Sequence, residues 1–249
     1  MASTPASDGD QAKASAVPNW LMELGNLVGS ALLFALNFAL AGVAAVPAAY
    51  VVVEVNAQFA WWAVALSLPV AYLVWGIAMC LLVLGVKWGT LYRPKPGAKP
   101  LFGPAGARWG LMARLVAFTH DTFIRHFVGT PFVNLWFRLL GARIGRRVMI
   151  NTTDLSDWDL LDIGDDVIIG AGAVIIAHVA EMGNLKLMPV RIGNGCSIGR
   201  NTVVFPGCTL GDGSVVGACS LLTKGKEVPA GQIWGGAPAE YIRERTPKT

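Results

Sequence analysis

The sequence predicts an α + β protein in which helices long enough to cross a membrane precede a parallel β-helix of six-residue repeats. Three observations carry that prediction. An aliphatic residue returns at steps of six through Ile144, Ile150, Ile163, Ile169, Ile175, Ile192, Ile198, Val204, Leu210, Val216 and Leu222. Most are followed by a small residue, as in Gly145, Gly164, Gly170, Gly193, Gly199, Gly211 and Gly217. A period of six suits neither a 3.6-residue helix nor a plain strand alternation, so the repeat is itself the architectural signal. Two apolar runs, residues 27–53 and 59–86, each exceed the roughly 20 residues that cross the hydrocarbon core as a helix. Finally, 54% of the chain is hydrophobic and only 14% charged, too apolar for an ordinary soluble domain.

In chain order, residues 1–19 are rich in Ala, Ser, Asp, Pro and Lys and are expected to be disordered. Residues 20–92 are expected to form a transmembrane hairpin, its polar interruptions limited to Ser30 and Asn37 in the first run and Ser67 in the second. The short connection from Glu54 to Gln58 has no positive charge, whereas Lys87, Arg93, Lys95, Lys99, Arg108 and Arg114 follow the second run. The positive-inside bias therefore predicts a multi-pass protein of a bacterial-type inner (plasma) membrane, with both ends and the repeat domain cytoplasmic. Tyr50, Trp61, Trp62, Trp88 and Tyr92 are placed as interfacial anchors, and Asn37 is expected to bond a neighbouring helix.

Residues 93–140 read as a linker, rich in Pro, Gly and Lys, and then two amphipathic helices on either side of Gly129-Thr130-Pro131. These are expected along the membrane surface or under the β-helix. The net charge of +4 favours anionic lipid headgroups as partners. It does not point to nucleic acid, because the basic residues flank the membrane runs and no base-reading surface of interleaved aromatics is present.

Residues 141–243 are the β-helix domain, followed by a tail at 244–249. Each six-residue unit supplies one short strand and one turn, and three units close one triangular coil with the aliphatic positions stacked inside. The rhythm breaks twice. From Ile150 to Ile163 the step is thirteen, and this stretch holds Asp154, Asp157 and Asp159; an acidic cluster there either positions an amine or sugar hydroxyl or caps turns. From Ile175 to Ile192 the step is seventeen, so roughly residues 177–190 must leave the prism as a loop, carrying His178. The cysteines form no disulfide framework; Cys196, Cys208 and Cys219 sit at small-residue positions of the repeat and read as buried filler.

This six-residue pattern resembles the left-handed β-helix of the hexapeptide-repeat acyltransferases. The run I-I-A-H-V-A-E, a loop and then P-V-R-I-G is similar to that family's active-site loop. The resemblance implies that His178 is the general base and that Glu181 occupies the family's acidic position. It also places Thr223-Lys224 and Trp234-Gly235-Gly236 in the segment that lies along the pantetheine arm and nucleotide of the donor. Ser197 and Ala218 join that donor side, and Asn184 joins Asp154 and Asp159 on the substrate side.

The runs T-D-L-S-D-W-D-L-L-D-I-G-D-D and K-G-K-E-V-P-A-G-Q-I-W-G-G-A-P-A also resemble the membrane-embedded terminal β-helix region of nonribosomal peptide synthetases of the polylysine synthetase type. What the two resemblances imply is a membrane-anchored acyltransferase, a homotrimer with sites between subunits. It would move an acyl or aminoacyl group from a phosphopantetheine thioester, on acyl-coenzyme A or an acyl-carrier protein, to a hydroxyl or amine. Without adenylation or carrier segments of its own, the chain would use a separate carrier protein and adenylation enzyme in the second case. No metal is implied: the three-histidine zinc site of the related gamma carbonic anhydrases has no counterpart, since His120 and His126 lie in predicted helix. The competing reading is a non-catalytic, membrane-anchored β-helix scaffold for a biosynthetic complex.

Overall fold

A computed structural model describes residues 19–246 of the chain. The expected disorder of residues 1–18 lies outside that range, and Asn19 already belongs to a helix. α1 (Asn19–Gln58) and α2 (Trp61–Gly89) are the two helices long and apolar enough to span a membrane. They pack antiparallel. Glu54 to Gln58, expected as the connection, is the last turn and a half of α1, and the chain reverses at Phe59 and Ala60 instead. Asn37 bonds its own helix, Nδ2 donating to the Leu33 carbonyl at 3.0 Å, rather than a neighbouring one.

The segment after α2 is more structured than a surface linker. Residues Gly97–Pro100 form a strand, followed by α3 (Pro104–Thr122), a 3-10 turn (Ile124–Phe127) and α4 (Pro131–Leu139). α3 lies against α2: the Tyr72 hydroxyl donates to the Thr122 carbonyl at 2.6 Å. A Cβ built on Gly76 would fall 2.0 Å from the Phe123 ring, so that contact requires glycine. α4 seats under the first coil, with Asn134 Nδ2 donating to the Val148 carbonyl at 2.6 Å. Of the two placements expected for these helices, both are found under the β-helix, between it and α2.

Above this helical layer the chain winds into three parallel sheets. The first face stacks Arg143–Ile144, Leu161–Ile163, Val190–Ile192, Thr209–Leu210 and Glu227–Val228. The second stacks Met149–Ile150, Ile168–Ile169, Ser197–Ile198, Val215–Val216 and Gln232–Gly235, and Glu240–Glu244 returns antiparallel along its far edge. The third stacks Val174–Ile175, Val203–Val204 and Leu221–Leu222. In-register pairing puts the repeat residues in continuous inward columns; ten of the eleven are buried and Ile144 is half-buried. Burying such a side chain contributes about 1.5–3 kcal/mol, which makes these columns the main source of the coil's stability.

The small residue after each aliphatic position is needed at one corner for space rather than for an unusual φ. A Cβ on Gly193 would lie 2.4 Å from Asp212 Oδ1 and 2.8 Å from its amide nitrogen. That corner is a polar ladder in which the Arg146, Asp165 and Asn194 amides donate to Asp165, Asn194 and Asp212 side chains at 2.6, 2.8 and 2.7 Å. Cys196 and Cys208 are buried as expected, and burial pushes both thiols up. Cys219 differs: it is exposed at a turn with φ 55°.

Candidate active site

The seventeen-residue step becomes a β-hairpin. His178–Glu181 pairs antiparallel with Asn184–Leu187, and Gly97–Pro100 adds a third strand along Asn184–Leu187. Met182 and Gly183, with φ 49° and 73°, make the tight turn. His178 therefore stands at the root of the hairpin's outer strand, paired with Leu187, while the middle strand Asn184–Leu187 is held from both sides.

The thirteen-residue step supplies its partner. One residue too many for two repeats is accommodated at Asp157, which takes a left-handed backbone conformation (φ 57°, ψ 48°) and starts the 3-10 turn Trp158–Leu160. Its carboxylate is 1% exposed, and Oδ2 lies 2.6 Å from His178 Nδ1. Two more donors hold it: Trp109 Nε1 at 2.8 Å on Oδ1, from α3, and the Ala177 amide at 3.3 Å on Oδ2. The Trp109 ring stands edge-on to the imidazole with centroids 4.7 Å apart. A carboxylate fixed by three donors holds the ring so that Nδ1 carries the proton and Nε2 is the free lone pair.

His178 and Asp157 border a cavity of about 370 Å³ between α3 and the third face of the coil. Met112, Val116, Leu155, Val174 and Ile176 make it largely apolar, while Tyr92, Asp154 and Ser156 add polar groups. Burial, reinforced by the charges of Asp157 and Asp159, raises the Tyr92 phenol, which keeps its proton.

The other residues singled out in the sequence fall into separate places. Glu181 is not the histidine's partner; it accepts from Lys186 Nζ at 2.9 Å and Lys224 Nζ at 2.6 Å, which hold its carboxyl below the usual range. Asp159 borders the cavity but is engaged by Lys87 Nζ at 2.7 Å. Asp154 is exposed at the cavity edge, its amide bonded to Thr152 Oγ1 at 3.1 Å. Asn184 sits at the hairpin turn, Nδ2 donating to the Met182 carbonyl at 3.2 Å. Thr223 and Lys224 follow the third face and Ala218 is exposed at the corner leading into it. Ser197, Trp234 and Gly235 belong to the second face, Lys226 lies 4.6 Å over the Trp234 ring, and Gly236 leads away from it. Within one chain, then, His178 is joined to Asp157 and Trp109, while the donor-side residues are spread over two faces.

Sequence reasoning passed over Trp109 and set Asp157 behind its two acidic neighbours. The odd residue in the thirteen-residue step was the available signal for Asp157. For Trp109 there was none, because it comes from a helix nearly 70 residues upstream of His178.

The family model described as bacterial transferase hexapeptide (six repeats) matches residues 189–224. Delta-poly-L-ornithine synthetase of Acinetobacter baumannii is 26% identical over 174 residues, 70% of this chain but 13% of the synthetase, so the chain spans only a small part of that protein's length. YvoF of Bacillus subtilis, named as a candidate acetyltransferase, is 32% identical over 120 residues, covering 45% of this chain and 69% of YvoF. WcaF of Escherichia coli (strain K12), named as a candidate colanic acid biosynthesis acetyltransferase, is 35% identical over 133 residues, covering 43% of this chain and 72% of WcaF. With the repeat, the three-faced coil and relatives matched over more than two thirds of their own length, the chain belongs to the hexapeptide-repeat acyltransferases.

Proposed function

We propose that this protein transfers an acyl or aminoacyl group from a phosphopantetheine thioester to a hydroxyl or amine, with His178 as the general base. The observation that carries the reading is the 2.6 Å contact between His178 Nδ1 and the buried Asp157 carboxylate beside an open cavity. An alcohol or ammonium-derived amine must lose a proton as it attacks a thioester carbonyl, and a neutral imidazole with Nε2 free takes that proton at neutral pH. Asp157 then stabilises the imidazolium that forms, and the collapsing intermediate expels the pantetheine thiolate, which leaves as thiol.

The wider setting is part of the same reading. The coil is left-handed as in the resembling family, α1 and α2 cross the membrane, and the basic residues after α2 keep the coil on the cytoplasmic side. The subunits associate as a homotrimer, which brings the donor-side residues Ser197, Ala218 and Trp234 of one subunit toward His178 of another. Donors of both kinds, coenzyme A and carrier protein, present the same pantetheine arm. Residues Thr223, Lys224, Gly235 and Gly236 are proposed to lie along it.

The test is thiol release by the purified protein with acyl-coenzyme A donors and with acyl- or aminoacyl-loaded carrier proteins, beside His178→Ala and Asp157→Asn. General-base catalysis contributes about 10²–10⁴-fold. We expect a loss in that range for His178→Ala with one donor class, and a loss on the order of 100-fold for Asp157→Asn, which removes the charge that fixes the tautomer. Equal release by wild type and His178→Ala overturns the reading and leaves the scaffold alternative.

A further inference from the structure

The cavity beside His178 is built for more than a small acceptor. It is about 370 Å³, more than twice the roughly 150 Å³ apolar cavity that holds a benzene ring. Its polar groups, among them His178, Asp157, Tyr92, Asp154 and Ser156, contrast with an apolar part supplied by Met112 and Val116 of α3 and Val174 and Ile176 of the third face. On α3 the wall combines the bulkier Trp109, Met112, Val116 and His120 with two alanines, Ala113 and Ala117, four residues apart and so on one side of the helix. Ala117 is exposed and also borders a second cleft of about 290 Å³ between α1 and α3, lined by Leu33, Phe34 and Phe38, with the exposed Arg114 and Asp121 beside them. Ala117 thus borders both the cavity at His178 and the cleft on the apolar flank of α1.

None of the residues on the donor side lines this cavity. Its occupant has to meet His178, which serves the nucleophile. Resting on the acyl-transfer reading above, we infer that the acceptor is an amphiphile. Its hydroxyl or amine lies at His178, and its hydrocarbon chain fills the cavity and runs over Ala113 and Ala117 toward α1. Each methylene buried there contributes about fourfold in affinity, so recognition depends on chain length until the cavity is full.

The experiment uses the full chain in phosphatidylcholine nanodiscs and, in parallel, in amphipol. The probes are primary alkylamines of increasing length with a terminal diazirine, photolysed and mapped by mass spectrometry. In amphipol the probe is added from water; in nanodiscs it is preloaded in the bilayer, so the two arms separate a free amphiphile from a membrane-resident one. We expect labelling of α3 around Ala113 and Ala117 that strengthens several-fold per added methylene up to a limit. Ala117→Trp should shift that limit to shorter chains, with its fold checked by near-UV circular dichroism. Ala113→Leu, a smaller change, should give a smaller shift in the same direction.

Labelling confined to the outer surfaces of α1 and α2, or a length profile unchanged in both folded variants, overturns the inference. Because labelling needs no turnover, its outcome is separable from that of the acyl-transfer reading. His178→Ala should keep the labelling while losing thiol release. Thiol release that depends on His178 without chain-length dependence would sink the amphiphile alone.

Discussion

His120 shows how one side chain ties the helical layer to the coil and what that costs in acid. It is buried on α3, its Nε2 accepting from Trp136 Nε1 at 2.9 Å. Burial lowers its pKa to about 4, against a smaller opposing effect from the Thr153 backbone. Above pH 6.5 the ring is neutral in both folded and unfolded chains, so this contribution is fully present. Between pH 6.5 and 4 the unfolded chain takes a proton that the folded one refuses, and stability falls as pH falls, by about 3 kcal/mol in all. His120→Gln keeps an acceptor and a donor but does not titrate. We expect the variant to melt lower than wild type at pH 8, with the gap between the two narrowing steadily as the pH is taken from 6.5 to 4. A gap that stays constant would show that His120 is not buried as a neutral ring. Histidine 178 was legible in the sequence because a unique histidine opened the longest break in the repeat. Histidine 120 was read only as a helical residue, since nothing local announces that Trp136 and the coil close over it.

At the scale of elements, the joint between α2 and the coil is an ion pair in an apolar setting. Lys87 is fully buried at the end of α2, Asp159 is 14% exposed, and their charged atoms are 2.7 Å apart. The Leu140 carbonyl also accepts from Lys87 Nζ, and Trp88 Nε1 donates to the Leu139 carbonyl at 3.0 Å. Removing one member of such a pair strands the other charge and costs about 3–5 kcal/mol, whereas replacing both with apolar groups is often neutral. We expect Lys87→Met and Asp159→Leu each to lower the melting temperature sharply, and the double variant to recover much of the loss. Additive losses in that cycle would mean that the two side chains do not act as a pair.

Asp159 and Asp157 share one 3-10 turn, so the same joint anchors the turn that carries the His178 partner. The sequence revealed the two apolar helices through length and composition, and the hairpin excursion through a broken period. It did not reveal that residues 97–100 pair with that hairpin, because Gly97, Lys99 and Pro100 carry the composition of a loop and their strand exists only through its neighbour.

For the whole molecule, the outward side chains of the three faces differ in a way that decides how copies meet. Register places Arg143, Asp162, Arg191, Thr209 and Glu227 in one outward column on the first face, a charged surface suited to water. The second face presents Met149, Ile168, Ser197, Val215 and Ile233, and the third Val174, Val203 and Leu221. Ile168 is 47% and Met149 48% exposed. Two adjacent apolar faces on a rigid prism favour a contact that buries both, and a ring of such contacts closes when each subunit offers one face to the next. Ile168→Lys and Val203→Lys point outward, so they should leave the coil folded while placing a charge in that contact. We expect each to convert the proposed trimer to monomer in light scattering of the detergent-solubilised protein. Thr209→Lys, on the charged face, should remain trimeric. A trimer that survives both apolar-face substitutions would move the contact elsewhere, and with it the proposed meeting of donor-side residues and His178 from different subunits.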